Sequence, residues 1–215
     1  AAFTTPADIL TTTSSYNLSN LTSKLFYRAV VKNGVCAATN SSNADVSVDA
    51  LSVGGLVGGS TTVCSGTNSA TLTLSGNTGS ITKWQSSTAI DFSSAVTDIV
   101  NATTSQTATN LSATTYYRAV ITSGSCAAAN SATATVTVSP ASVGGTIAGG
   151  ATVCSGTNST ELTLSGHTGS VTRWESSLDD FATSGTPIAN TTETLTATNL
   201  AATTSYRAVV TSGAC

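Results

Sequence analysis

Charged residues are scarce in this 215-residue sequence: they make up 8% of it, against about 25% in an average soluble protein. The pI is near 4.8 and the net charge is -3, so no basic stripe is available to neutralise nucleic-acid phosphates. No apolar run approaches the 18 or more residues of a membrane-spanning helix. We therefore expect neither a nucleic-acid partner nor direct membrane insertion, and any targeting signal should lie outside this stretch.

The sequence does contain an internal repeat, which fixes how everything else is read. The segment Thr-Val-Cys-Ser-Gly-Thr-Asn-Ser around Cys64 returns around Cys154, an offset of 90 (154 − 64). The repeat predicts three copies: the C-terminal part of a copy in residues 1–50, a complete copy in 51–140, and a copy lacking its last strand in 141–215. We interpret the chain as a stretch of a longer array.

Strand patterns recur within each copy. Ala132, Ala134, Val136 and Val138 alternate with threonines, which is typical of a strand with one buried face. About seven such segments per copy, Gly and Asn turns between them and no helical periodicity predict an all-β fold of tandem immunoglobulin-like β-sandwich repeats of about 90 residues. The predicted core is formed by the recurring aromatic residues Trp84, Trp174, Tyr27, Tyr117 and Tyr206.

Five cysteines occur, two in each copy that is long enough to hold both. Their regular placement favours disulfides and an oxidising compartment, and the short paired spacing of a zinc site is missing. We predict bonds within copies, Cys64 with Cys126 and Cys154 with Cys215, each closing a loop of about 62 residues and stabilising its domain by about 4 kcal/mol. The partner of Cys36 is expected outside the chain.

Catalytic and metal-binding residues are not indicated. The single histidine, His167, occupies a turn in which the preceding copy has Asn77, so we predict a structural role. Glu175, Asp179 and Asp180 do not form a dense calcium ligand set and are expected on the surface. The sequence therefore predicts no enzyme, no metal and no cofactor.

Arginine recurs on one strand of every copy, at positions 28, 118 and 207. Two interpretations stay open: a ligand site, or side chains whose stems cover apolar surface or which meet a carboxylate across the sheet. Trp84 is expected in the core, although an exposed tryptophan could form a sugar-binding platform. Complete burial of Trp84 would remove that candidate.

The order Thr-Val-Cys-Ser-Gly, Leu-Thr-Leu-Ser-Gly, Trp, Asn-Leu, Tyr-Arg-Ala-Val, Ser-Gly-x-Cys and Ala-Thr-Val-Thr-Val resembles the Ig-like repeats of very large Bacteroidota surface adhesins of the SprB gliding type. The resemblance covers nearly the whole chain. It implies export by the type IX secretion system and a position on the exterior of the outer membrane.

These observations predict a structural or adhesive repeat region of a long extracellular surface protein, a stalk or display array in cell adhesion or gliding motility. Its expected partners are the neighbouring repeats of the same chain, with other surface proteins or glycans as further candidates. Two alternatives stay open: a glycan- or protein-binding module that uses its loops, and a homo-oligomeric extracellular filament in which lightly charged sheet edges pair laterally.

Overall fold

The computed structural model describes residues 7–213 and 215. Nineteen β-strands form in this part of the chain, and none of it is helical. No helix among these residues could therefore cross a membrane. The predicted all-β fold class is confirmed.

The first copy contributes two short strand pairs. β1 (Leu25–Tyr27) pairs antiparallel with β4 (Ala44–Val46), and β2 (Val30–Val31) pairs with β3 (Thr39–Asn40). Tyr27 is half-buried, because few strands of this copy are present to cover it.

The second copy is a sandwich of two sheets. Its strands are β5 (Leu56–Gly58), β6 (Thr61–Cys64), β7 (Ser69–Ser75), β8 (Ser80–Ser87), β9 (Thr97–Ile99), β10 (Ser105–Thr109), β11 (Thr115–Thr122), β12 (Ala129–Asn130) and β13 (Ala134–Ser139). One sheet has the order β10-β7-β5, and the other has the order β6-β13-β11-β8-β9, with β12 paired to β11. This is the two-sheet arrangement of an immunoglobulin-like domain.

The strand β6 pairs parallel with β13, with Thr61 opposite Val136 and Cys64 opposite Ser139. All other pairings in the second copy are antiparallel. Because β11 runs antiparallel to β13, the last residues of β6 and of β11 lie at opposite ends of the sandwich. This arrangement decides where the cysteines can meet.

The core of the second copy lies between its sheets and is centred on Trp84, which is fully buried. The alternation predicted for β13 is seen in Ala134 and Val136, both fully buried, while Val138 is half-buried. Ala132, predicted on the same face, is exposed because the strand begins only at Ala134. Tyr117 is 4% exposed and pairs with Ala134, and burial raises the pKa of its phenol.

The third copy repeats both sheets with fewer strands. They are β14 (Thr146–Ala148), β15 (Ser159–Ser165), β16 (Ser170–Ser177), β17 (Thr186–Ile188), β18 (Thr194–Thr198) and β19 (Ser205–Thr211). The two sheets have the orders β14-β15-β18 and β17-β16-β19. Trp174 is fully buried, whereas Tyr206 is half-buried, because this copy has no counterpart of β13 among the described residues.

Candidate functional site

The junction between the second and third copies is built from short hydroxyl side chains. Ser142, in the connecting segment, accepts a hydrogen bond at Oγ from the amide of Ser212 (2.8 Å) and donates one to the carbonyl of Cys215 (3.0 Å). Gly213 has a φ of +53°, and a β-carbon there would collide with the side chain of Ser139. The turn that follows β19 thus docks on the segment that follows β13.

The junction between the first and second copies has the same design. Ser52, the counterpart of Ser142, accepts a bond at Oγ from the amide of Ser123 (2.9 Å). Asp49 accepts two more from Ser125, from the amide (2.9 Å) and from the hydroxyl (3.2 Å). Gly124 has a φ of +51° and has no room for a β-carbon beside the Asp49 carboxylate. Two successive junctions are therefore made by equivalent residues.

A disulfide crosses the second junction and joins Cys64 to Cys215, whose Cα atoms are 5.4 Å apart. This corrects the predicted pairs Cys64–Cys126 and Cys154–Cys215. Cys126 and Cys154 carry free thiols, Cys126 half-buried and Cys154 exposed, and Cys36 is free and exposed.

The reason for the correction is the direction of the strands. Val136 of β13 lies between Thr61 of β6 and Thr115 of β11. From this point β6 runs three residues in one direction to Cys64. β11 runs seven residues in the opposite direction to Thr122, before the turn that holds Cys126. At about 3.3 Å per residue, the two ends of the sandwich are roughly 30 Å apart. A disulfide bridges Cα atoms less than about 7 Å apart, so a bond within the copy is sterically excluded.

A second recurring feature is an arginine held on the face of the larger sheet. In the second copy the guanidinium of Arg118 lies 4.0 Å from the ring centre of Phe92 and donates from Nε to Gln85 (2.8 Å). Gln85 donates to Asp98 (2.8 Å), which also pairs with Lys83 (2.7 Å). The ammonium of Lys83 holds the pKa of the Asp98 carboxyl below its usual value.

The third copy keeps this arrangement with its carboxylate in a different place. The guanidinium of Arg207 lies 4.1 Å from the ring centre of Phe181. Glu175 replaces Gln85 and accepts hydrogen bonds from Arg207 and Arg173, both at 2.7 Å. It is only 6% exposed, which corrects its expected position on the surface, because the two guanidinium groups cover it. These two guanidinium groups, Arg207 first, lower the pKa of Glu175. Arg118 and Arg207 thus each cover a phenylalanine ring of a neighbouring loop, and Arg207 also meets a carboxylate across the sheet, which agrees with the second interpretation of their role.

Complete burial of Trp84 and Trp174 removes the sugar-platform candidate. Each indole N–H donates to a backbone carbonyl, Trp84 to Thr103 (3.0 Å) and Trp174 to Thr192 (2.9 Å). Both tryptophans therefore satisfy their one polar atom inside the sandwich.

The remaining candidates are scattered. His167 lies in the turn between β15 and β16, 3.7 Å from the Glu193 carboxylate. Asp179 accepts bonds from Ser177 and Thr183, which lower the pKa of its carboxyl. Within the described residues, no three His, Cys, Asp or Glu side chains come together in a way that could hold a metal ion.

The fold and the junctions define a class: a tandem array of immunoglobulin-like repeat domains. A family model, "Domain of unknown function (DUF8696)", matches residues 3–50, 53–140 and 143–215, and the chain belongs to this family. A comparison with curated proteins gives no match. Among solved structures, the chain is similar to the crystal structure of the FN1–FN3 domains of chicken CNTN1, with 15% identity, a TM-score of 0.27, and coverage of 84% of this chain and 69% of that one.

Proposed function

We propose that this chain is part of a stalk or display array on the outside of a cell, where it sets the reach of a surface protein that acts in adhesion or gliding motility. The observation that carries the proposal is the repeated junction. Ser52 and Ser142, and the turns that dock on them, hold successive copies by equivalent contacts. A stalk needs this property, since repeats that contact their neighbours in one fixed way add up to a defined length.

The disulfide supports the extracellular part of the proposal. A bond between Cys64 and Cys215 survives in an oxidising compartment such as a cell exterior, and is rare where glutathione keeps thiols reduced. The low charge and the abundance of hydroxyl side chains at the junctions agree with a surface whose contacts do not depend on salt.

The proposal is tested by measuring reach. The chain is displayed on cells with a biotin at its outer end, and capture on a streptavidin surface beneath a polymer brush is compared with that of a chain lacking residues 51–140, a deletion that keeps the repeat in phase. Capture should fall for the shortened chain at equal display level. A Gly-Ser segment of equal length is the control, and it should capture less well because a flexible coil extends only as the square root of its length. Equal capture by all three would contradict the proposal.

One observation favours a second function, a loop-based binding module. The second copy is one residue longer than the third between Trp84 and Phe92. Phe92 lies in the loop that joins β8 to β9, with the Arg118 guanidinium over its ring. Surface loops on a rigid scaffold vary in length and often carry binding residues. Glycan-array binding by the 215-residue chain that is lost when the loop around Phe181 is exchanged for that around Phe92 would establish this function, and absence of binding to the array would leave the stalk.

A further inference from the structure

Of the two junctions, only the second carries a disulfide. The turn that ends at Cys126 is closed by a bond from the Cys126 amide to the Ser123 carbonyl (2.9 Å), and the turn that ends at Cys215 by a bond from the Cys215 amide to the Ser212 carbonyl (2.8 Å). Both cysteines therefore occupy the same position in the same turn, docked on equivalent segments.

The sulfur atoms of Cys126 and Cys215 also occupy equivalent positions, each beside the last strand of the preceding copy. The sulfur of Cys126 is 3.8 Å from the carbonyl of Asp49, and the sulfur of Cys215 is 3.8 Å from the carbonyl of Ser139, the counterpart of Asp49. Ser139 is the residue that pairs with Cys64 across the parallel strands. The position beside Asp49 is therefore the one that the first cysteine of the first copy would occupy.

The same reasoning applies to Cys154, the counterpart of Cys64. Residues 151–154 correspond to β6 but form no strand, because the strand that would pair with them is not among the described residues of this copy. Cys154 is exposed, as expected for the end of an unpaired edge segment. When a strand equivalent to β13 pairs with this segment, Cys154 is placed at the end of the sandwich where the next copy docks.

We infer that the inter-repeat bond recurs along the array: the first cysteine of each copy pairs with the second cysteine of the copy that follows. Cys126 and Cys154 are thus sites for disulfides to further copies of this repeat, and neither has a reachable partner inside its own copy. This inference rests on the geometry of the junctions and stands apart from the proposed function.

Each bond forms by thiol–disulfide exchange with an external disulfide such as oxidised glutathione. One cysteine thiolate attacks the glutathione disulfide and releases one glutathione thiol, and the second cysteine then displaces the other. The two cysteines together lose two protons and two electrons, and one glutathione disulfide is reduced to two thiols.

The first test uses the 215-residue chain, refolded in a glutathione redox buffer, alkylated with iodoacetamide and mapped without reduction. Inter-repeat pairing leaves three alkylated cysteines, five less the two in the bond, namely Cys36, Cys126 and Cys154. Pairing within copies would leave only Cys36. In the variant Cys215→Ser, Cys64 should become a free thiol, and a Cys64–Cys126 bond in this variant would overturn the inference.

The second test extends the chain. Because Cys215 and Cys126 are equivalent, residues 127–215 can be appended after Cys215 without a break in the repeat. This segment supplies the missing strand and second copies of Cys154 and Cys215, and its own copy of Cys154 is replaced by serine so that it is not mistaken for the original Cys154. We expect Cys154 to bond to the appended terminal cysteine in stoichiometric yield while Cys64–Cys215 is retained. A Cys154–Cys215 bond, or a free Cys154 in chains that have formed Cys64–Cys215, would refute the inference.

Discussion

Reduction of the Cys64–Cys215 bond should change how far the chain extends under force. The two cysteines are 151 residues apart in sequence, so the closed bond shields almost the whole of the second and third copies from tension applied at the chain ends. At about 3.3–3.6 Å per extended residue, the shielded contour is about 500–540 Å. The oxidised chain should lack this extension, and the reduced chain should gain it as the two sandwiches unfold.

Force spectroscopy on single chains, tethered at both ends and pulled with and without dithiothreitol, measures this gain. The variant Cys64→Ser should behave like the reduced chain even without reductant, whereas Cys126→Ser, the matched control, should behave like the oxidised one. If the bonds were within copies, residues between Cys126 and Cys154 would stay extensible, and the oxidised chain would lengthen by about a further 90–100 Å. Such a step, or equal extension with and without reductant, would refute the assignment.

Three further predictions concern stability. Trp84→Ala should lower the free energy of unfolding of the second copy by about 3–5 kcal/mol in urea titrations, because removal of this fully buried side chain leaves a cavity at the centre of the core. A loss below about 1 kcal/mol would show that this core does not stabilise the second copy. Glu175→Gln should destabilise the third copy near neutral pH and have little effect in acid. The reason is that a carboxyl whose pKa is lowered by folding stabilises the fold above its unfolded pKa, near 4.5, and this contribution is lost as the pH falls through the folded pKa. Gln85→Glu should give no matching gain in stability, and a pH-independent effect of Glu175→Gln would contradict the ion-pair account. Gly213→Ala should cost about 1–2 kcal/mol from its positive φ and also reduce the yield of the Cys64–Cys215 bond, whereas Gly34→Ala, in the equivalent turn with open space around it, should show the conformational cost alone; equal bond yields in the two variants would show that the turn does not position Cys215.

The sheets and the core could be predicted from the sequence because their signals are local. Alternation of apolar and hydroxyl residues assigns Ala134 and Val136 to one face, and the recurrence of Trp84 and Tyr117 in other copies marks the buried positions. These patterns depend only on the period of a strand and on burial, so they hold without knowledge of which strands are neighbours.

The disulfide could not be predicted in this way. Its position depends on the parallel pairing of β6 with β13, two segments that are about 70 residues apart and carry no local mark of their partnership. Cysteine counting makes bonds within copies and bonds between copies equally regular, because both schemes repeat with the same period. Only the strand directions place Cys64 and Cys126 at opposite ends of the sandwich.

The buried carboxylate of Glu175 could have been found by comparing the sequences of the copies. Gln85 becomes Glu175 in the third copy, and Asp98 becomes Pro187, so the acidic group leaves one position and appears at the other. In the second copy the carboxylate of Asp98 pairs with one cation, Lys83, whereas in the third copy Glu175 pairs with both Arg173 and Arg207. This paired exchange indicates that the two positions are neighbours in space, and they do lie opposite each other on paired strands in both copies.

The central claim is that successive repeats are held in one fixed arrangement, and it is tested most directly by measuring length against copy number. Arrays of two, four and eight complete copies can be built in phase and imaged by electron microscopy under oxidising conditions. The account predicts an end-to-end length that grows in proportion to the number of copies. Growth as the square root of the copy number, as for a freely jointed chain, would contradict it.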